Sequence, residues 1–209
     1  MYKPQYTAEV FSGGACKGPY IAGYIKLKEE LGITDKDLGK KTFKYGVSVG
    51  SILCAFMSEG VRYKDIEEYF RKNDNRMRKI LSIDLFSIFH LHTGNKDENG
   101  YVIDIRKPQI ANSGFAHTSN LEKFLTDFLG DVKFKDRPEL EFMVVDWKNR
   151  EPIYLNYKTC PNLKVSEGCM ASSAMPAIYP ARKIKHEGKW KYAIDGGVIE
   201  NFPIKRALN

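Results

Sequence analysis

The sequence has no run of roughly 18 uncharged apolar residues, so no membrane-crossing helix is expected. Its first residues, MYKPQYTAEV, have neither the basic start nor the apolar stretch of a secretion signal. Cysteine is sparse and scattered: Cys16, Cys54, Cys160 and Cys169 form no Cys-x-x-Cys pair and no cluster with histidine at zinc spacing. That excludes a disulfide scaffold and points to reduced, mostly buried thiols of an intracellular protein. Histidine is equally scarce, at positions 90, 92, 117 and 186, and His90 and His92 have no acidic or cysteine partner at ligand spacing, so no metal is expected. Low-complexity tracts, linkers and solenoid repeats are missing too, which leaves one domain over residues 1–209. With 43% hydrophobic and 28% charged residues the chain is neither disordered nor collagenous and should bury a sizeable core. What it has in excess is positive charge. Thirty-three Lys and Arg against 26 Asp and Glu give a net charge of +7, which favours anionic partners, nucleic acid or acidic lipid surfaces, without choosing between them.

Along the chain, Thr7 to Ser12 reads as a strand, Gly13 to Gly18 as a glycine-rich turn, and Pro19 to Leu31 as a helix with Ile21, Ala22, Ile25 and Leu27 facing inward. A second unit of the same kind follows, with a strand over Thr42 to Val47 and an apolar helix over Gly50 to Glu59 stopped by Gly60. This alternation predicts an α/β fold with a mainly parallel central sheet, because parallel neighbours need a crossover of a dozen or more residues. Lys64 to Phe70 reads as a helix, Arg71 to Lys79 as a basic stretch, and Leu81 to Leu91 as an apolar stretch that fits either a core helix or a membrane-docking lid. Further on, a helix over Asn120 to Leu129 capped by Ser119, strands over Leu140 to Val145 and Pro152 to Asn156, a helix over Leu163 to Ala174 ended by Pro176, and a short strand over Trp190 to Ile194 are expected.

Three short motifs carry chemistry. Gly46-Val47-Ser48-Val49-Gly50 is a G-x-S-x-G at a strand-to-helix turn, where a serine is forced into a sharp elbow with its hydroxyl exposed and the glycines avoid collisions around the bend. The alternative is a tight turn that merely needs small residues. Ser12-Gly13-Gly14-Ala15-Cys16-Lys17-Gly18 is a second strand-to-helix turn, able to gather backbone N–H groups on an anion as a phosphate cradle or an oxyanion hole, or simply to pack closely. Its spacing fits neither a Walker A loop nor a dinucleotide fingerprint. Asp195-Gly196-Gly197 puts a carboxylate at a strand end before two permissive residues. All three motifs fall at the C-terminal ends of strands, the rim on which open α/β sheets build their sites.

Together with Ala171-Ser172-Ser173-Ala174-Met175-Pro176 and Asn201-Phe202-Pro203, these motifs resemble, in order and over about Thr7 to Pro203, the patatin-like phospholipase family. The resemblance implies a three-layer α/β/α domain that hydrolyses acyl lipids with a Ser-Asp dyad and needs no metal or other cofactor. It makes Ser48 the nucleophile and Asp195 its base. Backbone N–H groups of Gly13, Gly14 and Ala15 would form the oxyanion hole, with Lys17, Gly18, Gly46, Gly50, Gly196 and Gly197 in support and Ser172 and Ser173 in a helix wall near the site. Its implied partners are phospholipid substrates; beside that, with a lipid substrate the net charge of +7 favours an anionic membrane surface, not nucleic acid, and the scattered cysteines without a signal sequence favour the cytoplasm, at the membrane periphery. Two departures stand out. Ala15 replaces a common glycine, straining the loop by roughly 1 kcal/mol if a positive φ is needed there. The chain also ends shortly after Pro203, as expected of a minimal or truncated member. A Ser-His-Asp arrangement would have to recruit Asp146 and His186, because no histidine follows Asp195. A catalytically idle lipid-binding module stays open as well.

Overall fold

A computed structural model of the chain describes residues 7–14, 18–39, 41–73, 118–176 and 178–208. The first two crossovers follow the alternation in the sequence: strand β1 (Ala8–Phe11), helix α1 (Gly18–Leu31), a single turn α2 (Asp35–Leu38), strand β2 (Phe43–Val47) and helix α3 (Val49–Glu59). After α4 (Tyr63–Lys72), the described chain resumes with α5 (Thr118–Leu129), β3 (Leu140–Asp146), β4 (Glu151–Leu155), α6 (Val165–Ser172), β5 (Arg182–His186), β6 (Lys189–Asp195) and α7 (Ile204–Leu208). The stretch from Leu81 to Leu91 lies outside the described residues.

The sheet is ordered β1-β2-β3-β6-β5, with β4 also on β3. β1, β2 and β3 are parallel, β4 and β6 run against β3, and β5 runs against β6, so four of the six strands point one way. Val144 pairs with both β4 and β6, and Met143 with both β4 and β2, so β2 and β6 must share one edge of β3. They meet there tip to tip. β2 ends at Val47 opposite Met143, and β6 ends at Asp195 opposite Val144, the very next position.

Two successive steps in one direction across the sheet, each right-handed, place α1 and α3 on the same face, where α1, α3, α4, α5 and α6 pack into a single layer. On the opposite face Arg206 of α7 pairs with Glu141 at 2.6 Å and lies 4.7 Å from the centre of the Tyr154 ring. Helices on both faces make the α/β/α layering.

The core under the main helical layer includes Leu53, Phe56, Leu125, Phe142, Val144 and Cys169. It also contains charge. Lys44 is fully buried, bonded to Thr42, paired with Asp35 and 3.8 Å from Glu9, which in turn accepts from Lys28 at 2.8 Å. That network corrects the expected inner face of α1: Leu27 is exposed, and it is Lys28, the next residue, that turns inward to reach Glu9, while Ile25 is buried as expected. Ser119 is likewise no cap, since α5 already begins at Thr118.

Candidate active site

Two strands that converge on neighbouring positions of β3 bring the residues at their tips together. Ser48 follows β2 directly, and its backbone takes φ 54° and ψ −126°, a region costly for any residue with a Cβ. The flanking glycines make room for the bend. A Cβ on Gly46 would fall 2.6 Å from Ser51 Cα, and one on Gly50 would fall 2.6 Å from the Phe11 carbonyl oxygen. Two serines hold the elbow: Ser48 N–H donates to Ser172 Oγ at 2.8 Å, and the Ser48 carbonyl accepts from Ser51 N–H at 2.9 Å and Ser51 Oγ at 2.6 Å. Ser48 also stands at the N-terminus of the 11-residue α3, whose dipole favours negative charge at that point.

Asp195 is 2% exposed, and its backbone N–H donates to the Ala174 carbonyl at 2.9 Å. Its Oδ1 accepts from Gly197 N–H at 2.8 Å, while its Oδ2 is buried without a hydrogen-bond partner among the described residues. Burial pushes the Asp195 carboxyl above the usual aspartate value, and the Ser48 hydroxyl and the Gly197 N–H pull it partly back. The serine hydroxyl is therefore near enough to act on the charge, although Oδ2 has no bond of standard geometry.

The glycine-rich turn flanks the pair. A Cβ on Gly13 would stand 3.1 Å from Ser48 Cβ and only 2.4 Å from Asn201 Oδ1. Gly13 N–H donates to the Asn201 carbonyl at 3.1 Å and the Asn201 side-chain amide returns a bond to the Gly13 carbonyl at 3.2 Å. That double bond pattern corrects one expectation: the Gly13 N–H is committed to Asn201 and is not free for an oxyanion. Gly14 follows, half-buried; Ala15 and Lys17 lie outside the described residues, and Gly18 opens α1. Gly196 and Gly197 are there for closeness, since a Cβ on the first would fall 2.6 Å from the Met143 carbonyl oxygen and one on the second 3.1 Å from Asp195 Oδ1.

The histidine arrangement does not form. His186 pairs with Lys189 at the far end of the β5–β6 hairpin, about 20 Å along the strand from Asp195 at roughly 3.3 Å per residue. Its Nε2 lies 3.2 Å from the Tyr154 carbonyl oxygen. Asp146 is occupied by Lys191 at 2.6 Å, by Asn149 at 3.0 Å and by the Lys148 N–H at 3.1 Å. His90, His92 and His117 lie outside the described residues. Among the described residues no group of three or more His, Cys, Asp or Glu could hold a metal ion. Cys54, Cys160 and Cys169 are free and buried, and burial raises the Cys160 thiol to about 11, too high to supply a thiolate nucleophile. A cavity between α5, α6 and β5, with Arg182 and Trp190 on its wall, includes neither Ser48 nor Asp195.

Sequence reasoning missed the exact parts of Ser172 and Asn201. Both lie in the short motifs after the glycine loop, but a bond from Ser48 to a hydroxyl 124 positions away has no local signal.

The chain is similar to several known proteins. The chain is 28% identical over 215 residues to a protein named probable lipid hydrolase 463L of Invertebrate iridescent virus 6, covering 99% of this chain and 65% of that protein. It is 25% identical over 217 residues to the uncharacterized protein YqhO of Bacillus subtilis, covering 95% of this chain and 66% of that one. The chain thus spans slightly less than two thirds of the length of these curated relatives. Among solved structures, VipD from Legionella pneumophila superposes with a TM-score of 0.57 at 17% identity, over 96% of this chain and 47% of VipD. The type III effector protein ExoU gives 0.51 at 15% identity, over 82% of this chain and 40% of ExoU. At such identities the likeness is one of fold. The family follows from the sequence itself: a model described as patatin-like phospholipase matches residues 10–208, nearly the full length, and the chain belongs to that family.

Proposed function

We propose that this chain is a lipid acyl hydrolase of phospholipase A type, cleaving fatty acyl esters of phospholipids or related glycerolipids through a Ser48–Asp195 dyad. The observation that carries the reading is the meeting of a serine in a strained elbow with a buried carboxylate whose Oδ2 has no hydrogen-bond partner among the described residues. An unpartnered, desolvated carboxylate oxygen beside a hydroxyl is set to take its proton.

In the proposed cycle, Ser48 Oγ attacks the ester carbonyl carbon while its proton moves to Asp195 Oδ2, giving a tetrahedral oxyanion. Collapse expels the lipid alcohol, which takes that proton, and leaves an acyl-serine. Water then attacks the acyl-serine, giving a proton to Asp195. Collapse of the second tetrahedral species returns it to Ser48 Oγ and frees the fatty acid. A carboxylate is a weak base toward a serine, so much of the rate must come from stabilising the oxyanion. The Gly14 and Ala15 N–H groups and the N-terminal end of α3 serve that purpose in this reading, with Gly13 holding the turn in place and Lys17 adding charge.

Contact with an anionic membrane surface belongs to the same proposal. Val198, Ile199, Phe202 and Ile204 are all exposed on the segment that Asn201 ties to the glycine turn, next to the exposed cation Lys205. Apolar side chains ringing a site and flanked by positive charge suit an acidic lipid interface. Among the described residues no helix is long and apolar enough to cross a membrane.

The test is product analysis. Incubated with mixed phospholipid vesicles, the wild-type chain is expected to release free fatty acid and lysophospholipid in equal amounts, and Ser48→Ala to release neither. Equal release by both proteins, or none by the wild type, would overturn the proposal.

A further inference from the structure

The six-residue stretch Ala171–Pro176 touches both members of the pair. Ser172, the last residue of α6, is completely buried. Its hydroxyl has one proton, which it donates to the Met143 carbonyl at 2.8 Å, so toward Ser48 it can only accept, and it receives the Ser48 N–H at 2.8 Å. Two residues later the Ala174 carbonyl accepts the Asp195 N–H at 2.9 Å. Met143 is itself the seam of the sheet, opposite the end of β2 and one position before the end of β6, and its carbonyl is the atom that forbids a side chain at Gly196. A single hydroxyl thus links the elbow of Ser48 to the rung of β3 beside which Asp195 ends.

We infer that Ser172 is a positioning residue, whose hydroxyl sets the Ser48 elbow at the height and angle at which its Oγ faces Asp195 Oδ2. This rests on the dyad reading above. It neither touches substrate nor moves a proton; it acts through the Ser48 peptide. The physical case is that Ser48 sits in a sparsely populated backbone region, which persists only while its surroundings hold it there. Ser51, on the same helix as the elbow's exit, ties the carbonyl side locally, so it travels with α3. Ser172 alone among the described bonds fixes the N–H side to a different element. Remove that hydroxyl and two buried groups lose a partner, the Ser48 N–H and the Met143 carbonyl, at the point where the reacting atoms must align. A misplacement of about 1 Å there is enough to cost on the order of 10²-fold in rate.

The experiment compares Ser172→Ala and Ser172→Thr with the wild type in hydrolysis of a soluble fluorogenic acyl ester and in amide hydrogen exchange at Ser48. Leu125→Ala, a core change in α5 that removes no hydrogen bond to the elbow, serves as the stability control. Ser172→Ala is expected to lower kcat by about 10- to 100-fold with KM changed less than about threefold, to raise Ser48 amide exchange by at least tenfold, and to be rescued in both readouts by Ser172→Thr. Leu125→Ala should reach a comparable loss of Tm with little change in kcat. The inference is overturned if Ser172→Ala keeps kcat within about threefold, if Leu125→Ala at matched Tm loses as much, or if Ser48 exchange does not move. An inactive wild type whose Ser48 amide still loses protection in Ser172→Ala would sink the hydrolase reading while leaving the positioning role standing.

Discussion

Asp195 is held in a state its surroundings penalise. Burial raises its carboxyl above the ordinary value of 3.8, so the folded protein binds that proton more tightly than the unfolded chain does. Below the unfolded value both states are protonated and nothing is lost; as pH rises through the folded value the carboxylate forms and stability falls. At neutral pH the charge is therefore a cost. Asp195→Asn keeps an acceptor for the Gly197 N–H and removes the charge. It is expected to raise Tm at pH 7, by about 2–4 °C for each kcal/mol recovered, while hydrolysis drops to background. Differential scanning calorimetry beside an ester assay checks both, and a lowered Tm would contradict the account. The same shift fixes a pH dependence: kcat/KM should fall on acidification with an apparent value above 3.8, because the base must be ionised to accept the serine proton. An acid limb at or below the free aspartate value would be inconsistent with a desolvated Asp195. The places of Ser48 and Asp195 at the ends of two strands were legible in the sequence, because an elbow and a strand-end carboxylate each need small neighbours whose pattern is local. The commitment of Gly13 to Asn201 was not, because it depends on which segment the fold lays against the turn.

At the scale of elements, α3 and β2 work as one device. Gly46 lets the first turn of α3 lie directly on β2, and Gly50 lets it lie against the end of β1. Gly50→Ala must drive the helix off the Phe11 and Ser12 carbonyls, 2.6 and 2.7 Å from the new carbon, and backbone cannot swing aside as a side chain can. An overpacking loss of about 1–3 kcal/mol is expected by urea unfolding, with activity falling further than stability because the elbow moves with α3. Stability within about 0.5 kcal/mol of wild type would mean that the close packing is not needed. Most elements could be read from periodicity and punctuation, as with β2 and α3, within one residue at their starts. β5 could not. Its sequence, RKIKH, carries three cations in five residues and looks like a solvated loop, yet Ile184 and His186 are buried and Lys183 and Lys185 exposed, an alternation that only the neighbouring strand makes visible. In α1 the buried Glu9 selected Lys28 over Leu27, an ion pair overriding the hydrophobic pattern.

For the whole molecule, the topology explains why two distant motifs meet. β2 and β6 approach along one edge of β3 from opposite directions, so whatever ends them is brought face to face. In the proposed function, the excess of positive charge and the exposed Val198, Ile199, Phe202 and Ile204 would turn that rim toward an acidic interface. Replacing Ile199 and Phe202 together by serine is expected to weaken partition onto anionic vesicles by at least about tenfold, and raising salt should weaken the wild type further. Co-sedimentation that ignores both changes would remove the membrane-facing role. The central claim, that Asp195 arms Ser48 without a histidine, is tested most directly by the rate at which a fluorophosphonate labels Ser48, with the modified peptide identified by mass spectrometry. Labelling of Ser48 should slow by on the order of 10²-fold or more in Asp195→Asn and hold its rate in His186→Gln. Equal rates with and without the carboxylate, or loss of labelling in the histidine variant, would contradict that claim.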